Sequence, residues 1–293
     1  MIQSASPKIL VTGATGSVGM ELCKALSGRG VHFKAMVRAI SKAGDLAKLP
    51  GAELVQGDFD DAGSLSNALQ GIERSFLLTN SSEQAEEQQL RFVEAARQAG
   101  VLHIVKLSQW AASADSPVRF LRYHAAVEEE IRESGLRFTF LRPNLFMQGL
   151  LGFRDTIRNQ GVFFGAVGDA RISLIDVRDI AAVAAAALTD PAQEDKIYNL
   201  TGPEALSHND IAEKLSAAVG SPIMFVNLDS RSLEKMLLEV GFPQWQAEGL
   251  VEDYAHYQRG EADEVASGVA DATGNLPRSF DQFAKDYADY FKA

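Results

Sequence analysis

The stretch "KILVTGATGSVGMELCKALSGRG", Lys8–Gly30, decides the fold. Its opening, KILVTG, is a short apolar run ending in glycine, the pattern of a buried strand. The remainder, SVGMELCKALSGRG, spaces apolar residues three and four apart and stops at Gly28 and Gly30, the pattern of a helix with a glycine stop. Between the two lie Gly13, Gly16 and Gly19, a GxxGxxG spacing rather than GxGxxG. The physical demands are those of a phosphate-binding turn. Gly13 makes the tight turn, Gly16 lets backbone N–H groups approach a pyrophosphate, and Gly19 lets helix and strand pack closely. The phosphates then face a helix N-terminus, whose partial positive charge favours anions. The loop predicts a bound nucleotide, held by Gly13, Thr15, Gly16, Ser17, Val18 and Gly19.

Outward from this loop, strands and helices alternate. HFKAMVR reads as a strand, a helix is expected near Ser41–Leu49, and Glu53–Gln56 as a strand. A helix at Ala62–Leu69, a strand at Arg74–Leu78 and a long helix at Glu83–Gly100 follow. LHIVKLS is the next strand, SPVRFLRYHAAVEEEIRESG (Ser116–Gly135) the next helix, and RFTFLRP the strand after it. Such alternation implies a parallel sheet covered on both faces. After Pro143 the pattern loosens. ARISLIDVRDIAAVAAAAL gives a strand and an Ala-rich helix, KIYNLTG a strand, and helices dominate from His208. The expected fold is α/β: a doubly wound parallel sheet (Rossmann) with a smaller, mainly helical C-terminal substrate lobe. Residues 1–150 form the nucleotide-binding domain, 171–200 return to it, and 201–293 with 151–170 form the lobe.

Composition narrows the function classes. The 293 residues are 46% hydrophobic, ample for a sizeable core, and carry 28 basic against 39 acidic residues, a net charge of -11. A broad acidic surface repels phosphate backbones, so direct nucleic-acid binding is not expected. The single cysteine, Cys23, excludes an intrachain disulfide and a cysteine-based metal cluster. No metal site is expected. The start, MIQSASPKILVTG, has no apolar signal core, and IAAVAAAAL is too short to span a bilayer. A cytoplasmic protein without a membrane partner, monomeric or homodimeric, is the expectation.

The choice of dinucleotide turns on the second strand. An NAD site places Asp or Glu at its end to accept from the ribose 2′-hydroxyl. Here the strand ends in Val37–Arg38, and no acidic residue occurs between Glu21 and Asp45. Arg38 suits a 2′-phosphate through its planar fork, with Lys42 as support. The same arginine also reads as a solvent-exposed residue after a strand. NADP(H) is expected, NAD(H) less so. After the third strand, Asp58 and Phe59 read either as an acceptor and ring for adenine or as part of a turn that caps the following helix.

The motifs ILVTGATGSVG, VRAISKA, VQGDFDDAGSL, FTFLRPNLFMQ, IDVRDIAAVAAAAL and YNLTGPEALSHNDIAEKLS together resemble the NmrA-like, atypical branch of the short-chain dehydrogenase/reductase family. The likeness is greatest to its group of triphenylmethane reductase, NADPH quinone reductases and azoreductases, and it covers nearly the whole chain. It implies a dinucleotide-binding fold with Asp58–Phe59 near adenine, Leu78, Thr79 and Asn80 along the ribose, and Pro143–Asn144 near nicotinamide.

Ordinary members of that family carry Tyr-x-x-x-Lys on the Ser116–Gly135 helix, two residues on one helical face. Extended relatives read Lys-x-x-x-Glu just afterwards. Here the matching residues are His124 and Glu128, so His124 holds the lysine position. Phe120, four residues earlier, has no hydroxyl, and Tyr123 is turned about 100° away around the axis. Tyr123 is therefore not expected to be the catalytic tyrosine. Reducing a simple ketone needs a proton donor at the nascent alkoxide. Quinones, azo bonds and cationic dyes take hydride onto conjugated systems and lean less on a dedicated acid. The expected activity is an NADPH-dependent reductase of such acceptors. His124 is a candidate to hold the ribose or donate a proton, titrating near neutral pH. Ser108, at a strand end, is a candidate to face nicotinamide. Trp110 and Phe146 are candidates to contact an aromatic substrate. Two other readings stand open: a non-catalytic dinucleotide sensor or regulator, and an isomerase or ketone reductase with relocated acid groups.

Overall fold

The computed structural model describes residues 8–292; residues 1–7 and 293, including most of the segment read above for a leader, lie outside the described residues. The elements begin with β1 (Ile9–Val11), α1 (Ser17–Gly28), β2 (Phe33–Val37), β3 (Ala52–Gln56), α2 (Ala62–Leu69) and β4 (Arg74–Leu77). They continue with α3 (Ala85–Ala99), β5 (His103–Leu107), α4 (Arg119–Glu133), β6 (Arg137–Pro143), α5 (Arg154–Gln160), β7 (Val162–Gly165), α6 (Val177–Thr189) and β8 (Lys196–Leu200). The rest are α7 (His208–Val219), β9 (Met224–Asn227), α8 (Ser230–Glu239), α9 (Gln244–Gln258), α10 (Gly268–Thr273), α11 (Phe280–Asp286) and α12 (Ala288–Phe291).

β1 to β6 pair in parallel, and with β8 they form a seven-stranded sheet in the order β3-β2-β1-β4-β5-β6-β8. Parallel neighbours require crossovers, which is why apolar strands alternate with amphipathic helices along the chain. α1 shows the logic: Val18, Leu22, Cys23 and Leu26 are buried along one stripe. One apolar core gathers Leu10, Leu65, Leu77, Phe92, Ile104, Val127, Ile131 and Phe140. Each such side chain contributes about 1.5–3 kcal/mol on burial. The strand order reverses between β1 and β4. Sheets of this kind bind ligands beyond the carboxyl ends of their strands at that switch point.

The chain divides into two compact units. The first comprises the chain up to Gln109, Tyr123–Arg142 and Ile180–Tyr198. The second comprises Trp110–Arg122, Pro143–Asp179 and the chain from Asn199 onward. The second has its own core, including Phe163, Ile172, Ile211, Leu215, Phe280 and Phe283, and its own two-stranded parallel sheet of β7 and β9.

Three local expectations change. The helix expected at Ser41–Leu49 is two 3-10 turns, Ile40–Lys42 and Gly44–Lys48, and Gly44 between them has φ +55°. The run ARISLID makes only isolated bridges, Ile172 with Leu206 and Ile175 with Phe146. Its backbone is satisfied by loops instead: Ser173 donates its N–H to the Ala262 carbonyl and Ile175 its N–H to the Leu145 carbonyl. β7 and β9, four residues each, were not anticipated.

Candidate active site

The glycine loop is pinned to the sheet by Thr12. Its hydroxyl accepts from Leu78 N at 2.8 Å and donates to the Phe76 carbonyl at 2.9 Å. Gly13 has φ +60°, and Gly16 N donates to Gly13 O at 3.0 Å to close the turn. A Cβ on Gly13 would lie 2.9 Å from Leu78 Cγ, and one on Gly19 would lie 2.1 Å from Gly13 O. Both glycines therefore serve the fold itself. Gly16 differs. Its φ is −80°, and a Cβ there meets only Gly13 O, at 3.3 Å. Thr15, Gly16 and Ser17 are exposed. Gly16 caps α1 with no side-chain cap and no acidic residue in the first turn. The first helical bond is Met20 N to Gly16 O, so the amides of Ser17, Val18 and Gly19 have no partner within the helix. Open space before three unpaired amides fits a pyrophosphate.

The other predicted cofactor residues of this unit follow the carboxyl ends of neighbouring strands. Arg38 after β2 and Lys42 in the first 3-10 turn are exposed, and neither has an ion-pair partner among the described residues. After β3, Asp58 accepts from Asp60 N at 3.0 Å, while the cap of α2 is Asp61, which accepts from Gly63 N and Ser64 N. Phe59 packs against Phe92 with ring centroids 5.7 Å apart. After β4, Leu78 touches the glycine loop, Thr79 accepts from the Gln89 amide at 2.8 Å, and Asn80 is exposed.

A polar cluster lies under the end of β5. Side chains two apart on a strand share a face, so Lys106 and Ser108 point the same way. The β5–β6 register pairs Lys106 with Phe140 and Leu107 with Leu141, which sets Arg142 beside Ser108 on that face. α4 brings His124 and Glu128, one turn apart, onto it. Lys106 is fully buried, with Nζ 2.7 Å from His124 Nδ1 and 3.1 Å from the Leu107 carbonyl. Ser108 Oγ donates to Glu128 Oε1 at 2.5 Å. Arg142 grips the same carboxylate through Nε at 2.9 Å and Nη2 at 2.5 Å, and Arg132 Nη2 stands 3.3 Å from it.

Electrostatics follow from burial. Desolvation pushes the Lys106 ammonium down to about 7, with Glu128 opposing and Arg142 reinforcing the shift. Burial, then the neighbouring Lys106, hold His124 well below the ordinary imidazole range. The expected titration of His124 near neutrality is thereby corrected. The imidazole is held neutral, and while Lys106 is an ammonium, which can only donate, Nδ1 is the acceptor and the ring proton belongs on Nε2. Nε2 has no hydrogen-bond partner among the described residues. Tyr123 is buried, with its hydroxyl 3.2 Å from Ser81 Oγ and its ring centroid 4.2 Å from that of His124.

Lys106 and Arg142 were not singled out in the sequence. The signal was present: a lysine inside the buried run HIVKL must find a polar partner on its own face.

The remaining candidates belong to the second unit. Asn144 donates to Ser173 Oγ and the Ala262 carbonyl, both at 2.9 Å, and accepts from Leu145 N at 2.8 Å. Pro143, just before it, is buried, and its carbonyl accepts from Trp110 N at 2.8 Å. Trp110 is buried, its indole N–H donating to the Glu261 carbonyl at 2.9 Å. Phe146 is half-buried and precedes the 3-10 turn Met147–Phe153.

Comparison with known proteins places this arrangement. The chain is 36% identical over 285 residues to a NAD(P)H azoreductase of Xenophilus azovorans, covering 97% of this chain and 99% of that protein. An NADPH-dependent quinone oxidoreductase of Escherichia coli, solved in complex with NADPH, superposes with a TM-score of 0.85 at 28% identity, over 95% of this chain and 99% of that one. The triphenylmethane reductase of Citrobacter sp. superposes with a TM-score of 0.83 at 26% identity, over 95% and 99%. Residues 5–284 match the NmrA-like family across the glycine loop, the β5–α4 cluster and most of the second unit, and the chain belongs to that family.

Proposed function

We propose that the protein is an NADPH-dependent reductase that delivers hydride to a conjugated aromatic acceptor of the quinone, azo or triarylmethane type. The observation that carries this reading is the open space at Gly16 before the unpaired amides of α1. The reductase names of the relatives support it. Gly13, Thr15, Gly16, Ser17, Val18 and Gly19 hold the pyrophosphate, and Arg38 with Lys42 the 2′-phosphate. Asp58 and Phe59 take the adenine side, and Leu78, Thr79 and Asn80 the ribose. Pro143 and Asn144 keep their assignment to nicotinamide, and Trp110 and Phe146 theirs to the substrate. When bound, NADPH supplies the hydride. His124, a neutral imidazole with its proton on Nε2, is the donor that meets charge left on the reduced acceptor. Ser108 has its hydroxyl committed to Glu128 and acts by holding that carboxylate.

The test is NADPH oxidation with a panel of quinones, azo dyes and triphenylmethane dyes. Turnover of at least one class is expected. Tight NADPH binding with no turnover would instead favour a sensor, the reading that a helix without Tyr-x-x-x-Lys also allows.

Two variants probe the assignments. Losing one charge-assisted bidentate contact costs about 1.5–3 kcal/mol, so Arg38→Ala should weaken NADPH binding by roughly one to two orders of magnitude while sparing NADH. Titration with both dinucleotides checks this, and an unchanged preference refutes the 2′-phosphate contact. Tyr123→Phe removes a hydroxyl that meets Ser81 and should change kcat less than about threefold, whereas His124→Ala should lower it roughly tenfold or more. Inactive Tyr123→Phe beside normal His124→Ala would return the role to the phenol.

A further inference from the structure

We propose that Lys106 is the proton source behind His124: its ammonium, bonded to Nδ1, fixes the imidazole as the Nε2–H tautomer and passes it a proton as Nε2 releases one. The pair itself stands on geometry; only the destination of the proton rests on the reductase reading.

All five residues of β5 are buried, and an ammonium among them calls for a counter-charge. The nearby carboxylate, Glu128, is already engaged by Ser108, Arg142 and Arg132. Lys106 meets a peptide carbonyl and a neutral base instead. A purely structural lysine gains little from that arrangement, whereas a proton donor gains a competent acceptor at 2.7 Å. Burial with the Arg142 charge, opposed by Glu128, holds the ammonium at about 7, so its proton is readily given up near neutral pH. The groups facing the pair are Glu128 and Tyr123 on α4, Ser108 at the end of β5 and Arg142 on β6.

The step balances as follows. A quinone or azo acceptor that has taken up hydride bears an anionic oxygen or nitrogen. The Nε2–H bond breaks and a bond from that proton to the anionic atom forms. The Nζ–H bond breaks and Nδ1–H forms. Imidazole ends neutral in its other tautomer and Lys106 ends as an amine; Nε2 then takes a proton from solvent as Nδ1 returns its own to the Lys106 amine, which restores both groups. A cationic triarylmethane dye is different: hydride alone gives the neutral product, and no proton is needed.

The experiment compares wild type and Lys106→Met on a quinone and on a cationic triarylmethane dye, across pH. Lys106→Met should lower quinone kcat about tenfold or more and leave the dye rate within about twofold. Wild-type quinone turnover should be held below the Lys106 ionisation and fall as pH rises through about 7, because the protonated amine is required, and the dye should lack that limb. Equal losses on both acceptors would overturn the proposal. Nitrogen-15 NMR of imidazole in the wild-type protein decides the pair independently, even if Lys106→Met does not fold or no acceptor is turned over. His124 should be neutral with its proton on Nε2 at pH 6. A charged ring, or a proton on Nδ1, would overturn the proposal while leaving the reductase reading intact.

Discussion

Gly16→Val should abolish NADPH binding and leave the protein folded. Gly16 has φ −80° and ψ 173°, a region that valine adopts readily. A Cβ there has one close neighbour, Gly13 O at 3.3 Å, which calls for only a small shift. The side chain would fill the space over the amides of Ser17, Val18 and Gly19, where the proposed pyrophosphate sits. Each charge-assisted bond lost there is worth about 1.5–3 kcal/mol, so losing two or more puts binding beyond ordinary titration. Gly19→Ala is the opposite case. Its Cβ would stand 2.1 Å from Gly13 O, a backbone atom, so α1 must separate from the loop and the fold should suffer first. Calorimetric NADPH titration and thermal unfolding of both variants separate the two roles. A normal NADPH isotherm for Gly16→Val would remove the basis for the phosphate loop.

This contrast also marks what the sequence can convey. The spacing of Gly13, Gly16 and Gly19 between an apolar run and a 3.6-period run was enough for the β1–α1 unit, because turn, strand and helix are local. That β1 to β6 run parallel followed from alternation, because parallel neighbours need crossovers; their order across the sheet did not. The cluster of Lys106, His124, Glu128 and Arg142 was only half legible. Its members come from two strands and a helix, and they meet only once the β5–β6 register is known. His124 and Glu128 were visible through their places on the helix, and the ionisation of His124 was misread because neither its burial nor the lysine 18 residues away that adds to the depression shows in the local sequence. The second unit was the least legible. Its β7 and β9 are four residues each, too short for a period to show, and the ARISLID run finds loop partners that no local pattern announces.

Glu128→Ala should be among the most destabilising single changes in the first unit. Its carboxylate is fully buried and joins three elements: Ser108 after β5, Arg142 on β6, and its own helix α4. Removing one partner of a buried ion pair typically costs about 3–5 kcal/mol, because the charge left behind is uncompensated. Arg142 stays partly reachable by water, with 21% of its side chain exposed, which places the expectation near the lower end of that range. The stranded arginine should carry most of the loss. A double variant, Glu128→Ala with Arg142→Met, removes both charges and should recover part of the stability, with a coupling of about 1 kcal/mol or more, within the range for residues in direct contact. Chemical denaturation of the two single variants and the double variant completes the cycle. Additive losses, or a Glu128→Ala cost below about 1 kcal/mol, a surface-pair value, would mean that the carboxylate does not organise the cluster. The same variant bears on the chemistry. Glu128 is the charge that holds the Lys106 ammonium up against burial and Arg142. Without it, Lys106 should lose its proton at lower pH, and the fall in quinone turnover should move toward acid while the Nε2–H tautomer of His124 loses its support.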